Sequence, residues 1–276
     1  MKINSLAEAH LVILQMLREV HRIASKHDVP YFLAYGTALG AVRDGEFIPW
    51  DDDADIHVPW GDVERLCAAL REELPEPFEV FDLTTPGYDH LIPRVGAKGV
   101  DQNVVHVDVN PLIGSPRSAI AKRVVTALVS VLTRGYMLKR SDAGYRYPHS
   151  WKKRWSARLV KTALLPVPAA LFRRTYLWLG EVLPYPNGEG CYSIGGLLGD
   201  RDHLPSRFFT GTTQATLAGH TFNLPSGYEE YLAHNYGDDY LTPIPQQEQA
   251  KLLDFFERVE LPKILRQQNG AITQPR

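Results

Sequence analysis

Residues 36–59 read GTALGAVRDGEFIPWDDDADIHVP, and four carboxylates fall in the five positions from Asp51 to Asp55 before the run turns apolar. If Asp53 opens a strand, side chains two apart share a face, so Asp53 and Asp55 project together while Ala54 and Ile56 point into a core. Two carboxylates held that close repel each other unless a cation lies between them. Such hard oxygen ligands suit Mg²⁺ or Mn²⁺ rather than zinc. A run of charge is more often a solvated turn, but Phe47, Ile48, Pro49 and Trp50 stand immediately before this one and argue for burial. A calcium loop would use Asp51, Asp53, Asp55 and Asp62 at its offsets, yet Ile56 occupies the position that needs glycine.

The same chemistry recurs further along. In HVDVN, His106, Asp108 and Asn110 share one face of a strand and Val105, Val107 and Val109 the other, which makes Asp108 the natural third carboxylate. Asp53, Asp55 and Asp108 on two strands would hold one or two metals against the phosphates of a nucleotide. Upstream, Gly36 and Thr37 open a short helix directly after a strand, where backbone N–H groups and a hydroxyl can receive phosphate. Arg43 closes that helix and either grips phosphate bidentately or pairs with Asp44 or Glu46 at the surface. Asp51, Asp52, Arg94, Lys98 and His106 complete the substrate-binding candidates, although a structural role is the commoner fate of the last three.

Around these motifs the pattern is that of an α/β or α+β domain with a small mixed sheet flanked by helices. Apolar residues recur at helical spacing over residues 6–27, with Ser5 and Glu8 as a capping box. Strands are expected over 31–35, 53–58, 78–83 and 103–109, and helices over 37–43, 61–73 and 246–268. A proline- and aromatic-rich middle, 141–187, separates this half from a loop-rich C-terminal part. The expected division is a catalytic core over 1–115, with a helical insertion and an acceptor-binding part over 116–276.

Composition limits the function classes. Thirty Lys and Arg against 32 Asp and Glu leave a formal net charge of −2, without the basic excess of a nucleic-acid binder. Cys67 and Cys191 are the only cysteines, too few for a disulfide framework or a Cys-rich zinc site. No stretch approaches the ~18 apolar residues of a membrane span, and the N-terminal residues lack a signal-peptide pattern, so the expectation is cytoplasmic. Residues 124–132 and 159–183 read as buried helices. The alternative is peripheral membrane contact at the inner face, with Lys152, Lys153, Arg154 and Arg158 on anionic lipid and Trp151 and Trp155 at headgroup level.

Tyr35-Gly36-Thr37-Ala38-Leu39-Gly40-Ala41-Val42-Arg43, followed by Phe47-Ile48-Pro49-Trp50-Asp51-Asp52-Asp53-Ala54-Asp55-Ile56, resembles the signature of LicD-type phosphorylcholine transferases, the group related to fukutin and the fukutin-related protein. Val107-Asp108-Val109-Asn110-Pro111-Leu112 is similar to the family's later Asp-containing strand, with Asn110 where an aromatic is usual. Leu204-Pro205, Arg207-Phe208-Phe209, Leu224-Pro225 and Tyr231 through Tyr236-Gly237-Asp238 resemble its closing pattern. The resemblance implies a nucleotidyltransferase-like fold that moves a phospho-alcohol from a CDP-activated donor to a sugar hydroxyl, releasing CMP. By position, Asp53, Asp55 and Asp108 would hold Mg²⁺, with Mn²⁺ as the substitute. Asp108 would also accept the hydroxyl proton, Gly36 and Thr37 would cradle phosphate, and Arg43 would offset charge on the departing CMP.

CDP-choline is the favoured donor, with ribitol phosphate and glycerol phosphate as the family's other cargoes, and the acceptor is a cell-surface glycan, lipid-linked or free. A quaternary ammonium would want an aromatic cage, for which Tyr145, Tyr147, Trp151 and Trp155 are the candidates. Phe208, Phe209, Tyr228 and Tyr236 would either stack on sugar rings or pack in a core. Two other classes compete: a metal-dependent phosphodiesterase using the same carboxylates with water, and a non-catalytic glycan-binding protein.

Overall fold

A computed structural model of the chain describes residue 3 and residues 5–98, 100, 105–140, 151–186, 189–196 and 199–255. It divides into two compact units, one formed by Met1–Asn110 with Arg207–Arg276 and the other by Pro111–Ser206. The sequence groups residues 116–276 together. The contacts instead return the chain from Arg207 onward to the unit that carries the acidic motif, because a hairpin and a helix there supply the partners that motif needs.

The first unit opens with α1 (Leu6–Lys26), where Ser5 Oγ accepts the Glu8 N–H at 3.2 Å as the capping box requires. The helix buries Val12, Ile13, Met16, Leu17, Val20 and Ile23 on one face. Strand β1 is only Phe32–Leu33, shorter than expected, because helix α2 (Tyr35–Arg43) starts two residues before Thr37, where the sequence points to its start. Tyr35 adopts a left-handed φ of 43°, and its N–H donates to the Tyr231 hydroxyl at 2.9 Å. Then follow β2 (Asp53–Pro59), α3 (Trp60–Glu73), β3 (Phe78–Phe81), β4 (Arg94–Ala97) and β5 (His106–Gly114). Expected residues 103 and 104 lie outside the described residues. The sheet order here is β1-β2-β5-β4-β3, with Phe32 opposite His57 and Arg94 opposite Asp108.

The returning segment adds the hairpin β6 (Thr212–Leu217) and β7 (His220–Pro225), then α8 (Tyr228–Tyr236) and α9 (Gln246–Phe255). Residues 256–268 of the expected last helix lie outside the described residues. Ala218 and Gly219 both have positive φ, 48° and 76°, the two-residue turn whose twist matches paired strands. The hairpin packs on β1 and α2, and the Ala218 N–H reaches the Gly45 carbonyl at 2.8 Å. Tyr231 of α8 is fully buried. Besides accepting from Tyr35, its hydroxyl lies 3.1 Å from His57 Nε2, and the His57 ring also bonds the Asn110 backbone. Burial pushes the His57 pKa down to about 3, so the imidazole is neutral and bridges Tyr231 to β5 as a hydrogen-bonding group rather than a charge. Cys67 is a buried free thiol of this unit.

In the second unit, the last residues of β5 pair with β8 (Gly190–Ser193), Leu112 opposite Ser193. Strand β8 pairs in turn with β9 (His203–Pro205), both antiparallel. Cys191, in β8, is likewise a buried free thiol. Four helical segments complete the unit. Helix α4 (Ala119–Ser130) continues through a wide π turn, Val131–Gly135, into α5 (Tyr136–Arg140), and α6 (Trp151–Leu164) and α7 (Ala169–Val182) follow, with Pro166 and Pro168 between the last two.

 The expectation of buried helices is half met. Helix α4 buries Val125 and Val129, and α7 buries Phe172, Tyr176 and Leu179, with Phe172 against Tyr136 at a ring distance of 5.1 Å. Other large apolar residues of these helices face outward, because apolar residues lie around most of each helix's circumference. No helix among the described residues is long and apolar enough to cross a membrane.

Replacing Tyr231 by Phe keeps the ring and removes the hydroxyl that serves Tyr35 and His57. Leaving those buried groups unsatisfied should cost about 1–3 kcal/mol, read as a lower urea midpoint at unchanged slope. An unchanged midpoint would show that the hydroxyl is not what joins α8 to the sheet.

Candidate functional site

Strands β2 and β5 are neighbours in the sheet, so the side chains that the two motifs place on one face meet. One ligand atom each from Asp53, His106 and Asp108 lies within 4.8 Å of the others. His106 Nε2 is 3.3 Å from Asp108 Oδ1 and 3.7 Å from Asp53 Oδ2. Asp53 sits at the mouth with 36 % of its side chain exposed, whereas His106 and Asp108 are buried. Asp55, two residues along β2, is held by Asn110, whose Nδ2 donates to its Oδ1 at 2.8 Å. Its own N–H donates to Thr37 Oγ1 at 2.8 Å, which ties β2 to α2.

Electrostatics explains how these groups coexist. Arg94 forks onto Asp108, Nε 2.6 Å from Oδ1 and Nη2 3.1 Å from Oδ2. Burial pushes the Asp108 pKa up, but Arg94 and His106 outweigh it and hold the carboxyl well below its usual range. The other carboxylates move the opposite way. Burial raises Asp53, aided by the charge of Asp108 and opposed by His106. Burial and the charges of Asp53 and Asp108 drive Asp55 well up, and burial with the charge of Asp53 brings Asp51 to about 7. Tyr236 of α8 is raised by burial and by Asp55 and Asp51, which places the end of that helix in the field of the cluster.

The donor set fits a divalent cation. Neither His106 ring nitrogen makes a well-aligned hydrogen bond among the described residues although both are buried, a state that a metal at Nε2 would relieve. Two carboxylates beside that imidazole supply the charge. A cation would also permit Asp53 and Asp55 to ionise together.

The remaining sequence candidates divide. Gly36 stands where a Cβ would come 2.5 Å from Asp51 Oδ2, so any larger residue there would force that carboxylate to shift. Arg43 forks onto Asp44, with Nη2 2.7 Å from Oδ2, which is the surface-pair alternative, while its charge still opposes the rise at Asp51. Asp52 is half-buried beside them. Lys98 is not brought to the cluster by its ion pair, which is with Glu76 at the surface. Arg94 is at the centre as the partner of Asp108. The calcium-loop alternative fails because Asp53–Pro59 is strand. Phe208 and Phe209 are buried against Tyr231 and do not offer sugar platforms. Of the aromatic-cage candidates, Tyr145 and Tyr147 and the side chain of Trp151 lie outside the described residues, and Trp155 is exposed under the Arg158 guanidinium. Three contributors escaped the sequence: the Asn110 side chain, noted only as a departure from the family pattern, and His57 and Tyr231, whose link spans 174 residues. The Asn110 bond had one available signal, its place on the Asp108 face of HVDVN.

A family described as LicD/FKTN/FKRP, nucleotidyltransferase domain, matches residues 28–169. The lipopolysaccharide cholinephosphotransferase LicD of Haemophilus influenzae is 26% identical over 276 aligned positions, covering 90% of this chain and 96% of that protein. An uncharacterised protein of Rickettsia prowazekii is 31% identical over 103 positions, covering 37% of this chain and 36% of its own length. Among solved structures, terminal uridylyl transferase 4 from Trypanosoma brucei with bound GTP aligns at a TM-score of 0.25 and 14% identity, over 59% of this chain and 53% of that one, too slight a likeness to argue from.

Removing the Arg94 charge should leave Asp108 buried without its counterion. Arg94→Gln is expected to cost about 3–5 kcal/mol, with part of the loss recovered when Mn²⁺ or Mg²⁺ is added; a stability equal to that of the parent would separate the pair from the integrity of the site. Asp55 titrates in the opposite sense. Its pKa is raised in the folded state, so its contribution is favourable below the ordinary carboxylate pKa of 3.8 and is lost as pH rises through the folded value. The Tm of metal-free Asp55→Asn should therefore climb relative to the parent as pH rises above about 4. A Tm difference independent of pH would show that Asp55 does not carry this strain.

Proposed function

This chain belongs to the LicD/FKTN/FKRP family, matched through its nucleotidyltransferase domain, and on that premise we propose that it transfers a phospho-alcohol, with phosphorylcholine the favoured cargo, from a CDP-activated donor to a hydroxyl of a cell-surface glycan. The single observation that carries this reading is the convergence of Asp53, His106 and Asp108, with Asp55 alongside, on one face of two neighbouring strands. The cholinephosphotransferase relative, aligned over nearly its whole length, supports the choice of cargo and of a lipopolysaccharide-type acceptor.

A divalent cation, Mg²⁺ or Mn²⁺, held by Asp53, Asp108 and His106 would neutralise the donor's pyrophosphate and the charge that gathers on the leaving CMP. The acceptor oxygen attacks the phosphorus that carries the alcohol, the bond from that phosphorus to the bridging oxygen breaks, and CMP leaves with the electron pair. The hydroxyl proton needs a base. Asp108 is poorly suited, because Arg94 keeps its carboxylate weakly basic. Asp55, which burial and neighbouring charge make a better proton acceptor, takes that role, with Asn110 holding its Oδ1 in place. Asp108 then serves with Arg94 as the fixed anion of the cluster. The amides of Gly36 and Thr37, at the start of α2, face donor phosphate.

The test is CMP release from CDP-choline, CDP-ribitol and CDP-glycerol with Mg²⁺, each with and without a cell-envelope glycan extract. Acceptor-dependent release from one donor is expected, falling at least about a hundredfold in Asp53→Ala and Asp55→Ala. Release that ignores the acceptor would identify a phosphodiesterase instead, and no release from any donor would overturn the transferase assignment.

A further inference from the structure

In the second unit, apolar and basic side chains lie together on the outside. Of the large apolar residues exposed among the described residues, eleven fall between Ile120 and Val182 and three elsewhere. Along α4 and its π turn, Ile120, Val124 and Val131 are 76, 54 and 46 % exposed, a stripe one helical face wide and opposite buried Val125 and Val129. On α7, Leu171, Trp178 and Val182 are 53, 51 and 45 % exposed, opposite buried Phe172, Tyr176 and Leu179. The two stripes meet. Val131 from one and Leu171 from the other line a single apolar groove of about 200 Å³, whose other walls include Leu128, Leu164, Val167 and Phe172.

Charge says what such a face would meet. Between Arg117 and Val182 the chain has fourteen Lys and Arg against two acidic residues, which leaves sixteen against thirty in the rest. Exposed Arg123 adjoins Val124, and exposed Arg174 lies between Leu171 and Trp178 on α7. Basic residues interleaved with outward apolar residues and a tryptophan make the composition of a helix that lies in a lipid interface, apolar side in the acyl boundary and cations at the headgroups. A nucleic acid would answer the charge but would leave the apolar stripes wet.

We propose that the outward faces of α4 and α7, with the groove between them, dock this unit on an anionic phospholipid surface. The inference stands independently of the transferase assignment. Full-length protein should cosediment with vesicles of phosphatidylcholine and phosphatidylglycerol, and not with phosphatidylcholine alone. Added salt should release it. Arg123→Glu with Arg174→Glu should weaken binding at least about tenfold, and Trp178→Ala should weaken it as well, both with a Tm close to that of the parent, which keeps misfolding apart from lost docking. Equal binding to both vesicle types, or binding to neither, would overturn the proposal. So would a stable dimer whose formation buries Trp178, or binding to duplex DNA that survives Trp178→Ala while vesicles are ignored.

Discussion

The ion pair of Arg94 with Asp108 is what lets so many carboxylates share one corner of a sheet. Asp51, Asp53, Asp55 and Asp108 stand within each other's fields, and three of them respond by holding their protons more tightly. Only Asp108, directly opposite Arg94 across the β4–β5 ladder, moves the other way and holds its negative charge more firmly. That one fixed anion, with the buried His106 beside it, gives the cluster a charged floor that does not depend on a bound cation. The mobile part of the charge lies above it, on Asp53 and Asp55, where substrate and metal chemistry would make use of it.

The local half of this arrangement was legible in the sequence. Alternation in DADIH puts Asp53 and Asp55 on one face, HVDVN does the same for His106 and Asp108, and Ser5 with Glu8 announces the start of α1. The other half depends on register. Arg94 acquires meaning only when RVGA is paired with β5, and that four-residue strand, with a proline before it and a glycine inside it, carries little periodic signal. Asn110 was visible as a departure from a family pattern and not as a hydrogen-bond donor, since its partner Asp55 is 55 residues away. Phe208 and Phe209 left two readings open, because an aromatic pair looks alike in sequence whether it faces a sugar or a core.

The family resemblance and the physical reading contribute different things. The resemblance supplies the class of reaction, through the match to a nucleotidyltransferase domain. The geometry redistributes the candidates within it: His106 stands with Asp53 and Asp108 where one ligand atom of each could share a cation, Arg94 is the counterion of Asp108, and Arg43 is occupied by Asp44.

The return of the chain to its first unit also has a consequence in time. Tyr231 closes onto Tyr35 and His57, about 120 residues after Asn110, which bonds Asp55 from β5. At a synthesis rate of about 5–20 residues per second, that is a delay of about 6–24 s on the ribosome. Residues 111–206 are all made within it. The second unit in space is therefore the first whose sequence is complete, and the acidic corner waits, unsealed, for the last quarter of the chain to emerge.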